Sequence, residues 1–293
     1  MRIDHIAAYV NDLEKTTMTA KMGAPSNMGG PSIRLDGKKV LITGVSRPLG
    51  IGAGLARRFA EAGAEVAVHG YSEYDLTVGE RGSALPNGTE ILVARYRDMG
   101  LSVTLVTPSD FIRRGTAEKV VDEAAEKLNG LDGLILNHCY GTIAEIGQWT
   151  EEDIDAHLSV NVRASMMMIQ AFAKQADSGK DNAVTTFTSG QYKHIETNQM
   201  AYSVAKDAVI CLTRGTARSL GDRGIRVNCI DPGPNDTGYC FGEAYEAIAK
   251  TFPSGRWGTP DDAADLALFL HSPYGKWVTG QVIASHGGSS LEF

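Results

Sequence analysis

The sequence predicts an α/β protein built on one doubly wound parallel sheet of about seven strands with helices on both faces. Three observations carry this. From Lys38 onward, short apolar β-type runs alternate with stretches of helical period. The runs are nearly continuous in apolar residues, as expected when both faces of a sheet are covered. A glycine-rich stretch joins the first run to the first helix, the strand–turn–helix order of a βαβ unit.

Taken in order, the predicted strands are KVLIT (39–43), EVAVH (65–69), SVTLV (102–106), GLILN (133–137), AVTTFT (183–188), IRVNCI (225–230) and WVTGQVI (277–283). Helical period fills 50–62, 113–129, 151–176, 200–222 and 260–271. One domain over residues 34–293 accounts for all of them, including a substrate loop at 237–256. Residues 1–33 read as an N-terminal extension and linker, because GAPSNMGGPS (23–32) is Gly/Pro/Ser/Asn-rich.

Bulk properties exclude several function classes. Hydrophobic residues make up 43% and charged residues 22%, an ordinary globular composition. A net charge of −7 speaks against a nucleic-acid surface and suits a cytoplasmic protein. No apolar run approaches the roughly 20 residues that span a bilayer, so no membrane partner is expected. Cys139, Cys211, Cys229 and Cys240 form no C-x-x-C pair and read as reduced thiols, with no metal site expected.

Two stretches carry chemistry. In TGVSRPLGIGAG (43–54), glycines lie between a strand and a helix, where free N–H groups and the helix dipole favour a pyrophosphate. A tight turn before a buried helix uses similar residues, and the spacing is looser than G-x-G-x-x-G. In TFTSGQYKHIETNQMAYSVAKDAV, Ser189 follows a strand, and Tyr202 and Lys206 lie four apart on one helix face. Ionising a tyrosine near neutrality means bringing a pKa near 10 down to about 7, a cost of about 4 kcal/mol. A nearby ammonium supplies such a field. Tyr202 then exchanges a proton with a substrate oxygen that Ser189 orients. Taken alone, Y-x-x-x-K is equally an amphipathic helix pattern.

The ordered set TGVSRPLGIG, LILNHCYG, LSVNVRA, TSG…AYSVAK, RVNCIDPGPNDTG and GRWGTPDDAADLALFL…WVTGQV resembles the short-chain dehydrogenase/reductase family over residues 36–293. The likeness is to 3-oxoacyl-carrier-protein reductases with a lengthened glycine loop. It implies a single-domain Rossmann-type fold, a catalytic tetrad of Asn161, Ser189, Tyr202 and Lys206, and a small carbonyl or alcohol substrate. By the same resemblance, Asn161 holds a water for proton relay and Lys206 binds the nicotinamide ribose. The loop residues Thr43, Gly44, Ser46, Arg47, Gly50, Ile51 and Gly52 would hold the coenzyme phosphates and adenosine end. Asn137 supports the adenosine side, while Pro232, Gly233 and Thr237 line the nicotinamide pocket. Relatives are usually tetramers or dimers, which implies a homotetramer or homodimer. The N-terminal MRIDHIAAYVNDLEK looks like the opening of a glyoxalase-type metal domain, with His5 at a ligand position, but too little chain follows to complete one.

Departures from the family pattern shape the remaining expectations. The N-N-A-G position reads Asn137-His138-Cys139-Tyr140, so Tyr140 either faces the substrate or packs. Pro48 and Leu49 lengthen the glycine loop by two residues and are expected to bulge outward. Enoyl-thioester reductases share a longer loop but separate tyrosine and lysine by six residues, against three here, so a carbonyl/alcohol oxidoreductase is the preferred reading. A non-catalytic nucleotide sensor on the same fold is the alternative from another class. No aspartate ends the second strand, and Arg47 with Tyr71 and Ser72 favours NADP(H) over NAD(H), although Glu73 and Asp75 oppose this. Gln191, Tyr192, His194, Tyr140 and Tyr239 are the candidate substrate residues.

Overall fold

Val40, Leu41 and Ile42 are all fully buried, so the first strand has no solvent face. A computed structural model describes residues 33–78, 83–193 and 196–289. The chain divides into two units, residues 1–32 and 33–293. The extension and linker predicted at 1–33, His5 included, lie outside the described residues except for Ile33, and so does His194.

Seven strands form one sheet: β1 (Lys39–Thr43), β2 (Glu65–His69), β3 (Val103–Leu105), β4 (Gly133–Leu136), β5 (Asn182–Phe187), β6 (Ile225–Asp231) and β7 (Val282–Ala284). Their order is β3-β2-β1-β4-β5-β6-β7, and every neighbouring pair is parallel. The order reverses between β1 and β4, where Ile42 is in register with both Val68 and Ile135. Connections leave that point in opposite directions and open a crevice beyond the carboxyl ends of the strands.

Period-two alternation sends side chains to both faces. Val40, Ile42, Val66 and Val68 meet Leu55 and Phe59 of α1 (Ile51–Glu61), with α3 (Gly88–Asp98) and α9 (Pro260–His271) completing that layer. Leu41, Ala67, Leu134 and Val184 face the other way, against α4 (Thr116–Leu128) and α6 (Ala164–Gln175). The layer of α1 and α9 depends on Gly54, since a Cβ there would lie 2.6 Å from the Pro260 Cβ. Thr259 starts α9 with a full capping box, its side chain accepting from Asp262 N–H while Asp262 accepts from the Thr259 backbone.

Two predicted elements change, and two helices appear that were not predicted. The helix expected over 151–176 is interrupted: α5 (Glu151–His157) passes into a π-helical turn at Leu158–Arg163 before α6 begins. Such insertions are frequent at functional sites, and Asn161 sits in this one. The strand expected at 277–283 shrinks to β7. Trp277 is 97% exposed, and Gly280, at φ +72°, turns the chain before pairing begins. The unpredicted helices, α2 (Ser72–Thr77) and α3, lie between β2 and β3. Within the predicted substrate loop, Gly242–Ala249 forms α8, and α7 spans Met200–Leu220. No helix among the described residues is long and apolar enough to cross a membrane.

Candidate active site

The glycine stretch turns from β1 into α1 at the crevice. Gly44 takes φ +74°, and a Cβ on it would lie 2.8 Å from both Asn137 Nδ2 and the His138 backbone nitrogen. A Cβ on Gly52 would lie 2.1 Å from the Gly44 carbonyl oxygen. These two glycines let the loop pack on itself and on β4. Asn137 completes the packing by donating to the Thr43 and Gly44 carbonyls. Pro48 and Leu49 are the two central residues of a turn closed by Gly50 N–H donating to the Arg47 carbonyl at 2.9 Å, and neither lines the cleft.

Helix α1 begins at Gly50 with no side-chain cap, which leaves its first N–H groups for another acceptor. Ser46, Arg47 and Ile51 line one cleft together with Ser189, Tyr202 and Lys206. Its volume is about 1350 Å³, beyond the roughly 300–1,000 Å³ of most small-ligand sites. An uncapped helix start and a cleft of this length fit a dinucleotide plus a small substrate.

At the other end, α7 is stitched to the end of β5. The Thr188 hydroxyl donates to the Lys206 carbonyl at 3.1 Å, and Lys206 Nζ donates to the Phe187 carbonyl at 3.0 Å. This fixes Ser189 relative to the helix carrying Tyr202. Lys206 Nζ lies 5.7 Å from the centre of the Tyr202 ring. Burial opposes charge on Lys206, but Cys139, Tyr202 and Cys229 outweigh it and hold its pKa above the ordinary value. Asn161 reaches the site indirectly, accepting the Tyr140 N–H and donating to the Tyr140 carbonyl, each at 2.8 Å.

A family model described as Enoyl-(Acyl carrier protein) reductase matches residues 44–290. The chain is 32% identical to a cyclohexanol dehydrogenase of a Rhodococcus species over 278 residues, covering 88% of this chain and 97% of the relative. It is 29% identical to a 3-oxoacyl-[acyl-carrier-protein] reductase of Thermotoga maritima, covering 87% and 99%. A short-chain dehydrogenase from Burkholderia cenocepacia, solved in complex with NADP, superposes with a TM-score of 0.75 at 31% identity, over 88% of this chain and all of that one. The protein belongs to the short-chain dehydrogenase/reductase family. It is therefore an oxidoreductase on a Rossmann-type fold, with a cleft suited to a nicotinamide coenzyme.

Not every residue predicted for this dehydrogenase/reductase site reaches the cleft. Gly44, Asn137, Pro232, Gly233, Thr237 and Tyr71 line it, as do Gln191, Tyr140 and Tyr239. Thr43, Gly50 and Gly52 stand behind the surface, and Thr43 is fully buried with its hydroxyl 2.7 Å from His138 Nδ1. Two expectations are corrected. Ser72 does not line the cleft, because its hydroxyl accepts the Gly88 N–H at 2.9 Å. Tyr192 turns to a separate hollow beside Asp207 and Arg214, its hydroxyl donating to Asp231 at 3.0 Å. Arg47 does line the cleft, but it spans from Asp75 (3.5 Å) to the Thr237 carbonyl (3.4 Å). Asp75 also takes the Ser46 hydroxyl at 2.5 Å.

The tyrosines of this region are not equivalent. Burial pushes Tyr140 and Tyr239 up to about 12, Tyr140 with help from Asp153. Burial beside Asp231 raises Tyr192 as well. Tyr192 and Tyr202 each have a lysine ammonium over the ring, Lys193 at 5.0 Å and Lys206 at 5.7 Å, but only the second pair lines the cleft as a pair. His138, in the place of the second motif asparagine, is buried against Phe111, and burial pulls it down to about 3. It contacts the Val160 carbonyl through Nε2 at 3.1 Å, so it acts as a neutral brace in the cleft wall. Tyr74, Cys139, Lys193 and His286 also line the cleft. Cys139 lies in the N-N-A-G position, but no motif marked Tyr74, Lys193 or His286, which tertiary packing brings there.

Proposed function

We propose that the protein interconverts a carbonyl and a secondary alcohol, with Tyr202 as general acid and base. The observation that carries this reading is the placement of Ser189, Tyr202 and Lys206 in the same cleft as the glycine loop. Lys206 Nζ lies 5.7 Å from the centre of the Tyr202 ring, and at an effective dielectric of about 20 a unit charge about 6 Å away is worth about 3 kcal/mol. That is most of the roughly 4 kcal/mol needed to ionise a tyrosine near neutrality. Lys206 stays charged, and Ser189 is placed to hold the substrate oxygen while Tyr202 moves its proton. Asn161 supports this wall by fixing the Tyr140 backbone. When bound, a nicotinamide coenzyme supplies or accepts the hydride at the substrate carbon.

The residues proposed to hold that coenzyme are the α1 amino end with Ser46 at the pyrophosphate, Arg47 and Tyr71 at the adenosine ribose, and Lys206, Pro232, Gly233 and Thr237 at the nicotinamide. Arg47 favours NADP(H), as a guanidinium suits a phosphate, and the NADP complex of the Burkholderia relative supports this. The substrates are small carbonyls or alcohols bounded by Gln191, Tyr140 and Tyr239, in keeping with the cyclohexanol dehydrogenase relative. Enoyl-thioester reduction is the second reading, favoured by the description of the matching family model. A cytoplasmic homotetramer or homodimer is the expected form.

The test is a panel of ketones, secondary alcohols, 3-oxoacyl thioesters and enoyl thioesters, followed by NADPH and NADH absorbance. Turnover of the first three groups is expected, with NADPH at least about tenfold ahead in kcat/KM, the size of one charge-assisted contact. Turnover of enoyl thioesters alone establishes the second reading. A preference for NADH removes the assignment of Arg47.

A further inference from the structure

Tyr74 lies on α2, outside the tetrad and outside every motif. Its hydroxyl accepts the Gly141 N–H at 2.9 Å and donates to the Gly141 carbonyl at 3.1 Å. A phenol has one proton and free lone pairs, so one oxygen makes both bonds together. Gly141 in turn faces the Tyr202 ring. A Cβ built on it would lie 3.1 Å from Cδ2 and 3.5 Å from Cε2 of Tyr202. The backbone of Gly141 is thus the surface against which that ring rests.

The preceding residue is held in the same manner, by the two bonds from Asn161 to the Tyr140 N–H and carbonyl. The Tyr74 and Tyr140 rings lie against each other, with centroids 5.2 Å apart and planes tilted by 42°. Residues 140–141 are therefore clasped twice, once from the π-helical turn and once from α2. Next to Tyr74, Asp75 takes the Ser46 hydroxyl and faces Arg47. One short helix grips both the glycine loop and the backbone beneath Tyr202.

We propose that Tyr74 is a positioning residue for Tyr202: by clasping Gly141 it fixes the surface under the ring, and with it the place of the phenol oxygen relative to Ser189 and Lys206. This rests on the reading of Tyr202 as the proton-transfer group. Misplacement of a reacting group by about 1 Å costs on the order of a hundredfold in rate, so a small loosening has a measurable effect.

Tyr74→Phe keeps the ring against Tyr140 and removes only the oxygen. In the full-length enzyme, kcat on the best substrate of the panel is expected to fall about tenfold with KM within about twofold, the pattern of lost positioning. A second readout needs no coenzyme: titration of tyrosinate absorbance, with the matching Tyr202→Phe variant subtracted in each background to isolate Tyr202. Its midpoint is expected to move to higher pH by about half a unit, because the ring is held less well near Lys206. Gly141→Ala, which pushes the ring directly, is expected to move it in the same direction and serves as the test if Tyr74→Phe does not fold. An unmoved Tyr202 midpoint overturns the proposal, whether or not kcat falls. Full turnover in Tyr202→Phe itself overturns the functional reading instead.

Discussion

The wall that carries Ser189, Tyr202 and Lys206 and the loop at 237–256 are built in opposite ways. On the wall, Lys206, Asn161 and Thr188 are nearly fully buried, and each hydrogen-bonds to backbone of a neighbouring element. In the substrate loop, Tyr239 is 53% and Phe241 60% exposed, and α8 buries only Ala249 of its residues. That loop folds around a small cluster of its own. Trp257 stacks on Tyr245 at 5.2 Å and also meets Phe252 and Tyr239. The difference separates two tasks. Chemistry common to many substrates is set into the sheet, where geometry is held by packing. The loop has few ties to either main core and is the kind of segment that opens locally at low cost, which suits the substrate role proposed for it.

Breaking the wall has the largest expected effect. Gly52→Ala sets a Cβ against the Gly44 carbonyl, which is backbone, and against Asn137 Nδ2, which is pinned by its bonds to the Thr43 and Gly44 carbonyls. Coenzyme affinity, read by fluorescence titration, is expected to fall at least about a hundredfold, with about 1–3 kcal/mol of stability lost to overpacking. Affinity within threefold of the parent would show that the loop has slack which the packing does not suggest.

The loop responds differently. Trp257→Ala removes the centre of its cluster, a change that costs about 3–5 kcal/mol in a main core. Here hydrogen exchange is expected to accelerate across residues 240–256 while the β1, β4 and β5 amides keep their protection. Equal loss of protection in the sheet would join the two regions into one cooperative unit.

Acid sharpens the same contrast. Burial draws His69 down to about 4 and His138 to about 3, against about 6.5 in an unfolded chain. Between pH 6.5 and 5 the unfolded state therefore binds more protons, and stability falls as pH is lowered. Each histidine contributes a slope of up to about 1.4 kcal/mol per pH unit. His138→Gln is expected to flatten that slope by about one proton in urea unfolding at a series of pH values. An unchanged slope would show that His138 is already charged in the native state.

The sheet was legible from the sequence because its strands are continuous apolar runs such as KVLIT, and the tetrad because its spacing along the chain is short and ordered. The two helices between β2 and β3 were not, since α2 is only six residues long and α3 follows GSALPN, a stretch that reads as loop. The π-helical turn at Asn161 was hidden because the surrounding residues keep helical period across it. Ser72 and Tyr192 were misplaced for a related reason: a position in a motif says which element a residue belongs to, while its side-chain direction depends on a distant partner, Gly88 N–H for one and Asp231 for the other. Tyr74 had no signal at all, because its partner Gly141 lies 67 positions away in the chain.

The central claim is that Tyr202 moves the proton, and Tyr202→Phe tests it most directly. Coenzyme affinity and turnover are measured on the same preparation. Affinity within about threefold of the parent and turnover lowered at least about a hundredfold are expected, the scale of a lost general acid–base group. Turnover within a few-fold of the parent, with coenzyme bound as before, would contradict the account.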